Sequence, residues 1–263
     1  MTRVMGIVNV TPDSFSDGGQ WLDSTAAVAR ARTLVAEGAD LIDIGGESTR
    51  PGSAPVDEAT ELARVLPVIE ELAGTLGDVE ISIDTQKRAV ALAAVAAGAS
   101  IINDVSASLE TVAAQSGAGW IAMHTLGPSE TMQDDPTYGD VVEEIHAFLS
   151  DAATRGRAAG VDRIWVDPGI GFGKTTVHNL DLMANLDRFS EIAPVLIGAS
   201  RKRFIGEIHA ESDGISRETP VTGPDDRLEG SVALATWSAH LGVDIVRVHD
   251  VRATVHAVRV VQS

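Results

Sequence analysis

The sequence predicts an α/β fold, one (β/α)8 TIM barrel spanning residues 1–263, and three observations carry that expectation. Short apolar runs recur eight times along the chain, as buried parallel strands require. Helix-like stretches rich in Ala, Leu and Glu separate most of them, and strands alternating with helices build a parallel sheet. The length of 263 residues also suits this barrel, which typically needs ~250.

The first strand is the run Gly6-Ile7-Val8-Asn9. Its helix is expected to open at Asp23-Ser24-Thr25, with Asp or Ser as N-cap, and to close at Glu37-Gly38. Strand two is Leu41-Ile42-Asp43-Ile44-Gly45-Gly46-Glu47. The helix after it covers 57–72, because Leu62, Val65, Leu66, Ile69 and Leu72 fall at helical spacing. Ile81-Ser82-Ile83-Asp84 leads to a helix over 86–97 stopped by Gly98, and Ile101-Ile102-Asn103-Asp104 leads to a short one over 109–116. Ile121-Ala122-Met123-His124 precedes a helix over 140–159 that stops at Gly160. Ile164-Trp165-Val166-Asp167 precedes a sixth helix over 176–189. Leu196-Ile197-Gly198-Ala199-Ser200 precedes a seventh over 226–241, and Ile245-Val246-Arg247-Val248-His249 an eighth over 251–261. Three connections, 11–22, 48–56 and 204–225, are longer than a barrel needs. Long loops in a compact domain are usually functional. The first two follow adjacent strands, so they read as lids.

Composition narrows the class of activity. Net charge is −18, which argues against nucleic acid, because duplex binding depends on Lys and Arg at the phosphates. No stretch approaches the ~20 apolar residues of a membrane span. The start runs straight into the first strand, leaving no room for a signal peptide, so cytoplasm is the expectation. With no cysteine, disulfides and thiolate chemistry are excluded. Only three lysines occur, Lys87, Lys174 and Lys202, and Lys202 lies in the densest basic cluster, Arg201-Lys202-Arg203. A local positive patch on an acidic chain suggests a small anionic ligand.

In a (β/α)8 barrel the C-terminal strand ends converge on one mouth, where active sites sit. Here those ends are polar. Asp167 opens a glycine-rich turn that runs to Lys174, which reads either as an anion cradle or as a tight turn. A carboxylate there accepts two parallel hydrogen bonds, which suits an amino-plus-ring-NH edge like that of guanine. Asp84 and Asn103 end neighbouring strands and could complete recognition of a flat heterocycle, or could be helix N-caps. The role of Asp104 stays open. Ser200, Lys202, Arg247 and His249 end strands seven and eight, where barrels place phosphate groups. Asn9 offers a neutral oxygen suited to Mg²⁺. His124, His178 and His249 have no zinc spacing, and no Gly-x-Ser-x-Gly elbow occurs.

Together these strings resemble the dihydropteroate synthase family. The matching segments are MGIVNVTPDSFSDGG at 5–19, DIGGESTRPG at 43–52, SIDT at 82–85, IND at 102–104, MH at 123–124, TMQ at 131–133, DPGIGFGK at 167–174, SRK at 200–202 and RVH at 247–249. They occur in the family's order along the whole chain. The resemblance implies condensation of 6-hydroxymethyl-7,8-dihydropterin pyrophosphate with p-aminobenzoate, giving 7,8-dihydropteroate and pyrophosphate for folate synthesis, with Mg²⁺ as cofactor and a homodimer formed through late helices. It implies a pterin pocket of Asp84, Asn103, Asp167, Lys202 and Arg247, and a Mg²⁺–pyrophosphate site of Asn9, Arg247 and His249 with Asn9 on the metal. Phe15, Thr49, Pro51, Phe172 and Ser200 would face p-aminobenzoate, and Asp84, Asp17, Arg50 and Lys202 would serve the reaction. Two alternatives share the barrel. A pterin-dependent methyltransferase has no pyrophosphate to hold, which leaves Lys202, Arg247 and His249 without purpose. A non-catalytic pterin-binding paralogue would be expected to have broken lid motifs, and both are complete here.

Overall fold

The computed structural model describes residues 1–11, 20–48, 55–128, 131–215, 223 and 226–263, with side chains omitted at 20–23. The strands are β1 (Arg3–Asn9), β2 (Leu41–Gly45), β3 (Glu80–Asp84), β4 (Ile101–Asp104), β5 (Gly119–Met123), β6 (Ile164–Asp167), β7 (Leu196–Ile197) and β8 (Ile245–Val248). The helices are α1 (Gln20–Ala36), α2 (Glu58–Leu72), α3 (Arg88–Ala97), α4 (Glu110–Ser116), α5 (Val141–Ala159), α6 (Thr176–Ala184), α7 (Leu186–Ser190), α8 (Arg203–Ser212), α9 (Leu228–His240) and α10 (Val251–Val261). All eight strands form one sheet in the order β6-β5-β4-β3-β2-β1-β8-β7. Every neighbouring pair is parallel, and a parallel bridge from Val166 to Val195, just before β7, brings the two edges together. This is the (β/α)8 barrel that the sequence predicts, and it is nearly closed.

Several expected boundaries are corrected. The first helix begins at Gln20, so Asp23, Ser24 and Thr25 lie within it and are not its cap. The third starts at Arg88 rather than at Gln86. The sixth is two helices, broken at Asn185, whose amide N–H bonds back to Leu182. The stretch after strand seven begins with α8 and is not a long loop from 204. Strand seven itself stops at Ile197, short of Ser200. Among the described residues the count is therefore ten helices, not eight. Two helices are capped at residues that the sequence marks only as their starts: the Asp57 carboxylate accepts from the Thr60 N–H at 2.7 Å, and Asp140 accepts from the N–H groups of Val142 and Glu143.

Strand alternation builds the interior in layers. Met5, Leu41, Ile101, Ile121, Trp165, Leu196 and Ile245 form a separate apolar cluster that plugs the lower barrel. Side chains two residues further along point the same way. That step replaces Leu41 by Asp43, Ile101 by Asn103, Trp165 by Asp167 and Ile245 by Arg247. The barrel is thus dry at its base and polar one layer up. The other strand face packs on the helices, where Leu34, Val65, Ile69, Val90, Leu149 and Phe189 are fully buried.

Candidate active site

Above the polar layer opens a cavity of about 820 Å³, at the C-terminal ends of the strands. Asn9, Asp84, Phe172, Ser200, Lys202, Arg247 and His249 all line it. Asn103 and Asp167 lie beneath, both buried. A side chain at Gly198 would stand within 4.0 Å of both Asp167 Oδ2 and Arg247, so the two sit against the cavity wall. The fold brings these nine residues together at one mouth. Phe15, Asp17, Thr49, Arg50 and Pro51 lie outside the described residues.

Arg247 organises the floor. Its Nε donates to Asp43 Oδ2 at 2.6 Å and its Nη2 donates to Asp84 Oδ2 at 2.7 Å. Asn103 Nδ2 donates to the same Asp43 oxygen at 3.0 Å. Each partner keeps one acceptor unused: Asp43 Oδ1, Asp84 Oδ1 and Asn103 Oδ1 are buried and unpartnered. Buried polar groups are normally satisfied, so three orphans in one place mark where a ligand supplies donors. Burial raises the Asp84 carboxyl, with Arg247 pulling it down and Asp43 pushing it up. Asp43 is a member of the site that strand-end reasoning missed. Its signal was present, a carboxylate inside an apolar run, which is costly unless paired.

Asp167 is held by the turn it opens. Its Oδ1 accepts from the Gly169 N–H at 2.7 Å. Gly169 has φ +70°, and a Cβ there would lie 1.9 Å from the His124 carbonyl oxygen, so only glycine fits. Burial pushes the Asp167 carboxyl up to about 6, against the pull of the Gly169 bond and of nearby Lys202 and Lys174. Beneath the turn, buried Lys174 donates to the Phe172 carbonyl at 2.9 Å and meets His124 Nδ1 at 3.1 Å. Burial lowers the Lys174 ammonium to about 7, with Asp167 opposing, and pushes His124 down to about 3. The glycine-rich segment is therefore a tight turn stabilised from inside. Two amides of the segment are already engaged: Gly171 N–H bonds to Asn179 Oδ1 at 2.7 Å and Phe172 N–H to the Gly169 carbonyl at 3.1 Å.

The basic cluster separates on folding. Arg201 turns to Asp250, with contacts of 3.0 and 2.8 Å, and Arg203 pairs with Glu207. Lys202 lies with its Nζ 3.8 Å from the centre of the Phe172 ring, a cation–π contact. Arg201 adopts φ +60°, a conformation rare outside glycine, at the bend that separates these three directions. Arg227, not anticipated, also lines the cavity and donates to the Arg201 carbonyl at 2.9 Å. Ser200 Oγ accepts from the His249 N–H at 3.2 Å and stands 3.0 Å from His249 Nδ1. Burial first, then Arg247 and Arg201, pushes His249 down to about 3, which favours the neutral ring.

Asp104, left open above, is structural. It accepts from the N–H groups of Ser106, Ser108 and Leu109 and from Trp120 Nε1, which fixes the loop into α4. Neither Asp84 nor Asn103 caps a helix: α3 and α4 are entered at Lys87 and Leu109. Among the described residues no group of three or more His, Cys, Asp or Glu is placed to hold a metal ion.

Comparison with known proteins places this geometry in context. Residues 5–249 match the family described as pterin binding enzymes. The dihydropteroate synthase of Mycobacterium leprae is 43% identical over 268 residues, covering 98% of this chain and 92% of that protein. Among solved structures, the Xanthomonas albilineans dihydropteroate synthase with 4-aminobenzoic acid has a TM-score of 0.89 at 47% identity, covering 99% of this chain and 92% of that one. The complex of the dihydropteroate synthase from the same organism with 7,8-dihydropteroate has a TM-score of 0.86 at 44% identity, with coverage of 99% and 92%.

Proposed function

The chain belongs to the dihydropteroate synthase family of pterin binding enzymes, and from that premise we propose how its cavity works. It is a transferase that condenses 6-hydroxymethyl-7,8-dihydropterin pyrophosphate with p-aminobenzoate, releasing pyrophosphate and 7,8-dihydropteroate. One observation carries the assignment of its parts: the buried, unpartnered acceptors of Asp43, Asp84 and Asn103 gathered beside Arg247 and Asp167. Acceptors in that number suit a heterocycle rich in N–H donors. Asp167 takes the guanine-like edge, Asn103 and Asp84 take further ring donors, and Arg247 and Lys202 flank the ring. Asp43 is a positioning residue that holds Arg247 and Asn103 in place.

The reaction breaks the bond between the exocyclic methylene carbon and the pyrophosphate oxygen, leaving positive charge on that carbon, delocalised into the ring. The carboxylate of Asp84 stabilises that charge without attacking it. The p-aminobenzoate nitrogen then bonds to the carbon and loses a proton to solvent. Phe172, Ser200 and Lys202 border the space where the second substrate enters. His249 lines the cavity beside Ser200, where its ring can donate to the departing pyrophosphate. Ser200 Oγ shares a hydrogen bond with His249 Nδ1, and in the tautomer in which the serine donates to Nδ1 the imidazole proton lies on Nε2 as a donor. Asn9 fits Mg²⁺: it supplies a neutral oxygen on the cavity wall, and that ion takes few protein ligands and keeps water and phosphate oxygens. When bound, Mg²⁺ would neutralise the leaving group.

The lid roles of Phe15, Asp17, Thr49, Arg50 and Pro51 rest on the resemblance. A homodimer through late helices rests on the resemblance, and exposed Trp237 on α9, whose Nε1 donates to the Met183 carbonyl, is an apolar surface for it to cover. No helix among the described residues is long and apolar enough to cross a membrane; cytoplasmic residence remains our reading. The assay is pyrophosphate release with both substrates present. Release from the pterin pyrophosphate alone, or none with both, would refute the reading. Retained pterin binding with no release would favour the non-catalytic paralogue.

A further inference from the structure

Beneath the turn after β6 lies a charge that the condensation does not use. Lys174 closes that turn, is only 3% exposed, and still reaches the edge of the cavity. A lysine is almost never buried so deeply unless an opposite charge touches it. Here the two hydrogen-bond partners are the Phe172 carbonyl and His124 Nδ1, and neither is a carboxylate. An ammonium has only donors, so the His124 nitrogen beside it must accept, as a neutral ring does. A methionine would fill the same space without the penalty of a buried charge. The counterpart of this charge therefore lies beyond its direct contacts.

That counterpart is Asp167, the carboxylate that opposes the effect of burial on Lys174. Gly169 links the two. Its N–H holds Asp167 Oδ1 at 2.7 Å, and a Cβ placed on it would stand 3.4 Å from Lys174 Nζ. The loop after β5 keeps the turn from relaxing. Gln133 Nε2 donates to the Gly171 carbonyl at 2.7 Å, and the Tyr138 hydroxyl donates to the Gly173 carbonyl at 2.9 Å. Two other cations act on Asp167, Lys202 from the start of α8 and Arg247 from β8. Both have other engagements: Arg247 pairs with Asp43 and Asp84, and Lys202 lies over the Phe172 ring.

We propose that Lys174 is a positioning residue for pterin recognition: its ammonium, fixed beneath the turn, keeps Asp167 charged and so able to accept two donors from the ring. The proposal rests on the pterin reading of Asp167. The groups facing the pair can be told apart by pH. His124, just after β5, titrates at about 3, and Tyr138, before α5, at about 12. His178 on α6 meets Tyr138 edge-on and is common to every variant below. Asp167 gives up its proton near 6 and Lys174 near 7, so both carry charge between those values.

The test measures pterin pyrophosphate affinity by calorimetry between about pH 5.5 and 8, with thermal melts alongside. It compares native enzyme with Lys174→Met, Lys174→Gln, Asp167→Asn and the double variant Lys174→Met/Asp167→Asn. In Lys174→Met the acid limb should move up by about one pH unit, which lowers affinity about fivefold near pH 6. Near pH 8 the loss should stay within about twofold, because the native lysine has itself shed most of its charge there. Lys174→Gln keeps a neutral donor toward the Phe172 carbonyl, so it should show the same shifted limb if charge is what matters. Once Asp167 is replaced, loss of Lys174 should bring no further loss of affinity. An unmoved limb overturns the proposal, as does an equal loss at both ends of the pH range. So does a loss that persists in the Asp167→Asn background. If neither single variant folds, Lys174 serves stability and the proposal falls as well. Native enzyme that binds no pterin pyrophosphate, or binds it with no acid limb, gives a different result and sinks the reading of Asp167 itself.

Discussion

Asp167 and Arg247 show how much of this site depends on single charges held out of water. Asp167 has one oxygen committed to the Gly169 N–H, and the carboxylate as a whole is buried. Replacing it by Asn turns an acceptor into a donor facing a donor. That should weaken pterin binding by about 2–3 kcal/mol, the penalty of an unmade buried hydrogen bond with charge. Calorimetry with the pterin pyrophosphate measures it, and affinity within threefold of native would show that Asp167 does not grip the ring. A pH profile makes an independent check. The Asp167 carboxyl is raised to about 6 by burial, so it protonates as pH falls through about 6 and ceases to be a double acceptor. Pterin affinity should therefore decline on the acid side of about 6, and that limb should be absent from Asp167→Asn. The sign for folding is opposite. The folded form binds the proton more tightly than the unfolded chain does, so the contribution of Asp167 to stability is full below the ordinary carboxylate value of 3.8. It is lost as pH rises through about 6. A flat affinity profile from pH 5 to 8 would count against the first statement, and denaturant melts over the same range would check the second.

At the scale of elements, the turn after β6 is the piece least tolerant of change. Gly169→Ala places a methyl against the His124 carbonyl at φ +70°, so either the turn or β5 must move. We expect a loss of about 3 kcal/mol in stability together with loss of pterin binding. Gly74 is the control: it has the same φ of +70° but nothing within 4 Å. Gly74→Ala should cost about 1 kcal/mol, the left-handed backbone penalty alone, and leave activity intact. Equal effects from the two, measured by denaturant melts and by turnover, would mean that the close approach is unimportant. The same elements show what the sequence made legible. Strands were readable because short apolar runs alternate with helix-like stretches at lengths too short for buried helices, and α10 matched its expected bounds because its apolar positions keep helical spacing. Helix α8 was hidden by Gly206, which reads as a breaker but is buried where the helix packs inward. Its neighbour α9 approaches closely through Gly230, where a Cβ would lie 2.4 Å from Ile205. The Asn185 break was equally invisible, since the apolar pattern runs through both α6 and α7 and only the local hydrogen bonds end the first of them.

For the whole molecule, the barrel itself made the site legible, because strand ends scattered from Asn9 to His249 become neighbours only in that fold. What stayed hidden was the layer beneath. Asp43 sits two residues above Leu41, and seeing it needs the facing register as well as the strand ends. Charge is the other molecular-scale property. The chain carries −18, yet the proposed leaving group is itself an anion, so long-range attraction does not bring it in. Local cations must do so, and Arg247 is already paired with Asp43 and Asp84. Neutralisation of pyrophosphate therefore falls to Lys202, Arg227 and an added cation, with His249 as a hydrogen-bonding neighbour. No cluster among the described residues would hold a metal by itself. Mg²⁺ should accordingly bind free enzyme weakly and bind strongly only with pyrophosphate present, because the anion supplies most of its oxygens. Calorimetric titration with and without pyrophosphate reads this directly. Asn9→Ala should weaken the pyrophosphate-dependent binding about tenfold, the loss of one oxygen ligand, while binding of a pterin lacking the pyrophosphate stays unchanged. Turnover should stop in excess chelator and return with added Mg²⁺. Tight Mg²⁺ binding to the free enzyme would mean that a protein-built metal site exists, and full turnover in chelator would mean that the cations of the chain suffice.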